Sequence, residues 1–304
     1  MTSERLHIRV ATRASALALR QVEEVQEALE CRGHSVEIVS VQTRGDADGR
    51  PFSQMEGQGF FTKAVQEVVL SGDADLAVHS YKDLPSAQVV GLEVAAVPHR
   101  ADPRDVLLIR SEHFEPGAEH FPLKPFTRVG TGAARRRAQL LDLRADLELA
   151  DMRGNVPTRI DKLRSGEVEA IVVAAAGLKR LGLDLFDVKL VVLHPRTFVP
   201  APAQGALALE VRRGDDLLAS ILTDLHDPRG YRAVAAERGL LSMFQGGCQL
   251  ALGAHATLEG GLVTLNAWYE GEYVVVEDPT PEGAAMLAYD AFGRPKPNLP
   301  NGAE

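Results

Sequence analysis

The sequence predicts an α/β protein made of two similar units, followed by a smaller α+β unit. Three observations carry this. Strand-like and helix-like stretches alternate through the first hundred residues; the theme repeats in the second hundred; and after Cys248 it gives way to strands joined by glycine turns. Strand–helix alternation implies a mostly parallel sheet covered by helices.

In the first unit, His7–Ala11 reads as a strand and Ala16–Arg32 as a helix with Leu17, Val22, Val25 and Leu29 on its apolar side. Val36–Gln42 is a strand, Thr62–Leu70 a helix, and Leu76–His79 and Leu92–Val97 short buried strands. A second unit begins after Pro98–Pro103, with a strand ending at Val129–Thr131, helices over Ala134–Leu143 and Pro157–Arg164, and a strand at Ala170–Ala174. Local patterns recur between the units. Val10-Ala11-Thr12 parallels Val129-Gly130-Thr131, and Ser71-Gly72-Asp73 before one strand parallels Ser165-Gly166-Glu167 before another. Shared strand–turn grammar is the alternative explanation of the same patterns. Pro200-Ala201-Pro202-Ala203-Gln204-Gly205 cannot lie within a helix and is expected to cross back to the first unit.

Gly230–Phe244 reads as a helix. Leu250–Thr257, Leu262–Tyr269 and Tyr273–Glu277 follow as strands, and Pro281–Phe292 as a closing helix. The expected domains are 1–101 with 200–222, then 102–199, then 223–304, with a mobile tail from about 293.

Apolar residues at 45% and charged residues at 25% suit a soluble globular chain. No run of eighteen apolar residues and no signal-peptide pattern is present, so neither membrane contact nor secretion is expected. Two cysteines, Cys31 and Cys248, make no disulfide framework, and no His/Cys cluster suggests a metal; a cytoplasmic protein is expected. The net charge of −9 argues against nucleic acid as a partner. Yet 26 of the 33 basic residues are arginine. Its planar fork suits carboxylate or phosphate. Base composition explains the excess as well, so position must decide.

Arg13 and Ser15 lie at one strand-to-helix turn; Thr131, Gly132, Ala133, Arg135 and Arg136 lie at another. Helix N-termini present free N–H groups, and an added arginine makes an anion site. Ordinary Ser or Thr capping is the alternative for either turn alone. Arg153, Arg159, Arg180 and Arg44 also fall near predicted strand ends, the edge where open α/β sheets bind ligands. His79-Ser80-Tyr81-Lys82-Asp83-Leu84-Pro85 follows an apolar strand, so Asp83 is either a turn former or a carboxylate able to move a proton. In Gly246-Gly247-Cys248-Gln249 the glycines clear space around a thiol that could accept an adduct, although a buried inert cysteine is more common.

Together these segments, with Thr43-Arg44-Gly45-Asp46, Arg153-Gly154-Asn155-Val156, Gly177-Leu178-Lys179-Arg180, Gln204-Gly205-Ala206 and Ala236-Glu237-Arg238, resemble the porphobilinogen deaminase family over nearly the whole chain. The resemblance implies two periplasmic-binding-protein-like (type II) domains with a cleft between them, plus the small C-terminal α+β domain. It implies a monomeric transferase that condenses four porphobilinogen molecules head to tail and releases ammonia. Its primer would be a dipyrromethane cofactor attached through a thioether to Cys248. By the same match Asp83 is the catalytic carboxylate. Lys82, Ser80, Asp46, Thr131, Gly132, Ala133, Arg135, Arg136, Gly177, Gln204 and Gly205 would hold the cofactor. Arg13, Ser15, Gln21, Arg153, Arg159 and Arg180 would hold the substrate. Each ring brings two carboxylates, which explains why an acidic chain would carry an arginine-lined cleft. Where the family commonly has Thr-Ser-Ser-Leu, this chain has Thr131-Gly132-Ala133-Ala134, without two hydroxyls. A lysine common in the family is replaced by Gln58. A non-catalytic anion-binding protein on the same fold is the competing reading.

Overall fold

The computed structural model describes residues 5–43, 59, 61–245 and 250–293. The first sheet contains β1 (His7–Arg13), β2 (Ser35–Val41), β3 (Leu76–Ser80), β4 (Leu92–Ala96) and β10 (Leu207–Arg212) in the order β2-β1-β3-β10-β4. The second contains β5 (Asp105–Arg110), β6 (Arg128–Gly130), β7 (Glu148–Ala150), β8 (Ala170–Ala174) and β9 (Val188–Val192) in the order β7-β6-β8-β5-β9. Position for position the two orders match. The strand running against its neighbours is β10 in the first sheet and β5 in the second. Each is the first strand the chain forms after crossing from the other sheet. The sequence repeats occupy equivalent places: β1 and β6 correspond, and the Ser-Gly turns lead into β3 and β8.

The first sheet is covered by α1 (Ala16–Glu30) and α6 (Asp216–Thr223) on one face and α2 (Lys63–Leu70) on the other. Ile8 and Val10 face Val22, Val25, Leu29, Leu218 and Leu222, while Ala11 and Ala77 face Val65 and Val69. The second sheet is sandwiched between α3 (Ala134–Leu143) and the pair α4 (Val156–Arg164) and α5 (Ala175–Leu181). Alternate residues of β5 divide accordingly: Leu107 and Ile109 join Leu140, and Val106 and Leu108 join Ile160, Leu163 and Leu178. The third unit is an antiparallel meander, β11 (Leu252–Glu259), β12 (Leu262–Tyr269) and β13 (Glu272–Asp278), packed on α7 (Pro228–Met243) and α8 (Pro281–Ala291).

Several elements differ from the sequence reading. β1 runs on to Arg13 because it stays in parallel register with β2 as far as Val41. Helix α1 stops at Glu30, where Cys31 caps it from an exposed position. β5 and β10, not singled out from sequence, are buried on nearly every residue, so they show no two-residue alternation. β7 has three residues, too few for a pattern.

Two crossing segments, 97–104 and 193–206, run side by side between the sheets. The Ala101 amide donates to the Gly205 carbonyl at 3.2 Å, and the Arg100 Nε donates to the Gln204 carbonyl at 2.9 Å. The third unit is pinned to this junction. Glu237 of α7 is fully enclosed. It accepts from Arg100 at 2.7 and 2.9 Å, from the Ala203 amide at 2.7 Å and from the Ala256 amide at 2.8 Å. On another side the Trp268 indole donates to Asp142 of α3 at 3.1 Å. Among the described residues no helix is long and apolar enough to cross a membrane.

Gly205 holds the crossings together. Its φ is +87°, and a Cβ there would lie 2.5 Å from the Ala101 carbonyl oxygen. Gly205→Ala should therefore destabilise the fold by about 1–3 kcal/mol in a denaturant titration. Gly182→Ala, at φ +57° with open space around it, is the control and should cost less. Equal costs would show that crowding at the crossing contributes nothing.

Candidate active site

The buried strand β3 ends at Ser80 and delivers a short 3-10 turn, Tyr81–Asp83, to the sheet edge. Leu84 is extended, as the residue before Pro85 must be. This projects Asp83 and Lys82 from the end of a rigid strand. Beneath them Ser80 and the buried Gln21 of α1 bond each other twice: the Gln21 amide donates at 2.8 Å, and the Ser80 hydroxyl donates back at 3.1 Å.

From Lys82 a polar network runs through the crossings into the second unit. Lys82 Nζ donates to Gln204 Oε1 at 3.2 Å. The Gln204 amide donates to the Pro103 carbonyl at 2.8 Å and to Asp105 at 3.0 Å. Asp105 heads β5 and is wholly buried. It accepts from Arg135 at 2.8 Å, and from Arg136 at 2.7 and 3.2 Å. Both arginines lie in the first turn of α3 and reach under the sheet edge. Arg135 also donates to the Val199 carbonyl at 2.7 Å and sits 5.5 Å from the Phe198 ring centre. Arg136 donates to the Val172 carbonyl at 2.9 Å.

Burial pushes the Asp105 carboxyl up, but Arg135 and Arg136 outweigh it and hold the group at about 2. Burial pulls Lys82 down to about 8, with Arg136 and Arg135 adding to the fall and Asp83 and Asp105 opposing it. Burial also lowers Arg135. Arg159, in α4, is brought to about 10 by burial and then by the positive charges of Arg136 and Arg153. One carboxylate, Asp105, is thus shared by two guanidinium groups, and among the described residues the half-buried Arg159 has Arg136 and Arg153 as charged neighbours. Such a field favours a bound anion.

The remaining expected residues occupy several settings. Arg13 stacks with its Cζ 4.1 Å from the Phe61 ring centre. Ser15 caps α1, accepting from the Ala18 amide at 3.3 Å. Thr131 is buried, and its hydroxyl accepts from the Ala133 amide at 3.3 Å. Gly132 and Ala133 lead into α3, which has no side-chain N-cap. Arg159 Nε donates to the Gly154 carbonyl at 2.9 Å. Gly177 packs beside Leu17 where α5 meets α1. At the same contact Arg180 grips Glu24 at 3.1 to 3.3 Å. The structure therefore joins Lys82, Gln204, Arg135 and Arg136 in one network, and Gln21 with Ser80 in another, while Arg180 is drawn onto the chain's own carboxylate. Cys248, Asp46, Arg44 and Gln58 lie outside the described residues.

Sequence reasoning missed Asp105, Glu24, Arg100 and the part Glu237 plays. A signal for Asp105 existed. It stands directly before the apolar run Val106-Leu107-Leu108-Ile109, and a carboxylate at the head of a buried strand must find cations. Glu24, on a half-exposed helix face, offered none.

A family model described as porphobilinogen deaminase, dipyrromethane cofactor binding domain, matches residues 8–220. The porphobilinogen deaminase of Syntrophobacter fumaroxidans is 42% identical over 262 residues, covering 85% of this chain and 82% of that protein. That of Roseiflexus castenholzii is 44% identical over 254 residues, covering 83% and 82%. Among solved structures, an ancestral cationic amino acid solute binding protein covers 72% of this chain and 87% of its own at TM-score 0.44 and 13% identity. The periplasmic VFT2 domain of Bordetella pertussis BvgS covers 72% and 86% at TM-score 0.42 and 15% identity.

Asp105→Asn should leave two enclosed guanidinium groups without their counter-charge and lower stability by about 3–5 kcal/mol in urea at neutral pH. Its folded value of about 2 lies below the ordinary 3.8, so its contribution is complete above about pH 4 and is lost as pH falls through 2. The variant should lack that part of the acid-unfolding slope. An unchanged slope would show that Asp105 is not the group being titrated.

Proposed function

The chain belongs to the porphobilinogen deaminase family, and from that premise we propose that Asp83 is its catalytic carboxylate and Cys248 the anchor of its cofactor. The activity is the family's: stepwise head-to-tail condensation of four porphobilinogen molecules, with release of ammonia, to give hydroxymethylbilane. The dipyrromethane cofactor supplies a primer whose free ring carbon is the nucleophile for the next ring. The observation supporting the site assignment is the cluster of positive charge that Lys82, Arg135, Arg136 and Arg159 form among the described residues. A two-ring primer carries four carboxylates, and those cations match it in sign.

On this reading Lys82, Arg135 and Arg136 hold the primer's carboxylates, beside the turn Thr131-Gly132-Ala133. Gln204 and Gly205 keep the crossing in place behind them. Arg13, Arg153 and Arg159 hold the acetate and propionate of the incoming porphobilinogen, and Arg180 joins them by exchanging Glu24 for a substrate carboxylate. Asp83 stands at the end of β3, where it can steady positive charge on the substrate as the amino group leaves. It then accepts the proton released from the newly bonded ring carbon. Lys82, at about 8, keeps its proton at neutral pH and so remains a cation beside that carboxylate. Domain boundaries at 1–101 with 200–222, 102–199 and 223–304 belong to the same proposal, with the cleft between the first two. So does action as a cytoplasmic monomer free of nucleic acid and membrane. The two-cysteine composition and the charge of −9 support it.

Intact-mass measurement on purified protein should give the chain plus two pyrrole units, and Cys248→Ser should remove the excess. An active enzyme with the bare chain mass would refute the anchor. Asp83→Ala should keep the fold by circular dichroism and lose roughly 10²–10⁴-fold in turnover. Near-normal turnover would end its assignment as the catalytic group.

A further inference from the structure

The turn that presents Asp83 is held from another unit of the molecule. The Leu84 amide donates to the Tyr81 carbonyl at 3.3 Å, and the Tyr81 amide donates to the Ala206 carbonyl of the crossing at 3.0 Å. Arg238, on α7 of the third unit, adds three more bonds. Its Nη1 donates to the Tyr81 and Leu84 carbonyls, both at 3.1 Å, and its Nη2 to the Pro85 carbonyl at 2.6 Å. Its Cζ lies 4.3 Å from the centre of the Tyr81 ring. These carbonyls stand on both sides of Asp83 in the chain.

Helix α7 is built for this. Ala233, Ala236 and Leu240 face the third unit's own core. Val234 instead joins Tyr81, Leu84, Val97 and Ala203 in a separate cluster. Arg238 is one turn beyond Val234 on the same face. Between them Glu237 locks the helix to Arg100 and the crossings. A planar guanidinium can serve three carbonyls and lie on a ring at once; an ammonium, a compact point charge, cannot reproduce that geometry.

We propose that Arg238 is a positioning residue for the reaction: it sets the backbone of the turn that carries Asp83, and so makes the placement of that carboxylate depend on the third unit. This rests on the reading of Asp83 as the catalytic group. A shift of α7 then moves the turn with it, and the helix ends at Met243, five positions before Cys248 in the chain. The turn and the approach to the cofactor cysteine thus share one rigid element.

The test uses cofactor-loaded enzyme, with loading verified by intact mass. Arg238→Lys should lower kcat roughly 10- to 100-fold, the scale of a small misplacement of a reacting group. KM should stay within about twofold, because the cations assigned to the substrate are untouched. In an Asp83→Asn background the same substitution should cost less than about twofold, since both changes act through one group. Tyr81→Leu removes the ring under the guanidinium and should give a smaller loss of the same kind, which supplies a second variant if Arg238→Lys loads poorly. Full kcat in loaded Arg238→Lys overturns the proposal, as does an equal loss with and without Asp83. If Asp83→Asn alone keeps normal turnover, it is the reading of Asp83 that fails, a distinct result.

Discussion

Asp105 is the constraint on which the site depends. A carboxylate enclosed at the head of a buried strand is tolerable only because two guanidinium groups and an amide meet it. The dependence runs both ways: Arg135 and Arg136 could not be enclosed without it. Through Gln204 the same carboxylate orients the partner of Lys82, so one buried group aligns cations contributed by both sheets. The balance is deliberately uneven in sign. Among the described residues one negative charge, Asp105, answers two positive ones, Arg135 and Arg136.

The topology explains why this network lies at a boundary. Each sheet has its reversed strand where the chain enters from the other sheet, so both crossings pass between the two units. Asp105 ends one crossing and Gln204 nears the end of the other. Close backbone approach at Gly205 keeps the two in contact. Glu237 and Arg238 fasten the third unit to the crossings and to the turn after β3. The residues that carry charge and those that hold the three units together are therefore largely the same set, which ties stability of the junction to geometry of the site.

Arg180 shows how an acidic chain can line a cleft with arginine without strong self-repulsion. Its side chain is enclosed and paired with Glu24, whose own side chain is half exposed. The pair around Asp105 is not of this kind. Asp105 is wholly enclosed, whereas Glu24 keeps half of its side chain in water.

Much of the molecule was legible from sequence for physical reasons that can be named. Helices such as Ala134–Leu143 and the strand Ala170–Ala174 carry strong local periodicity or long apolar runs. Asp83, Lys82, Arg135 and Arg136 belong to motifs whose joint order is specific, so the family could be read from them. β5 and β10 escaped because strands buried on both faces have no alternation, and β7 because three residues make no pattern. Residue chemistry and short-range order were determined by the chain alone: which segments fold as helix or strand, and which motifs place an aspartate, a cysteine and many arginines in this order. Only the tertiary structure decided which charges meet. Asp105 reaches Arg135 from thirty positions away, and Arg238 reaches Tyr81 from 157. Pairings over such separations are set by how sheets cross and helices dock, which local periodicity does not record.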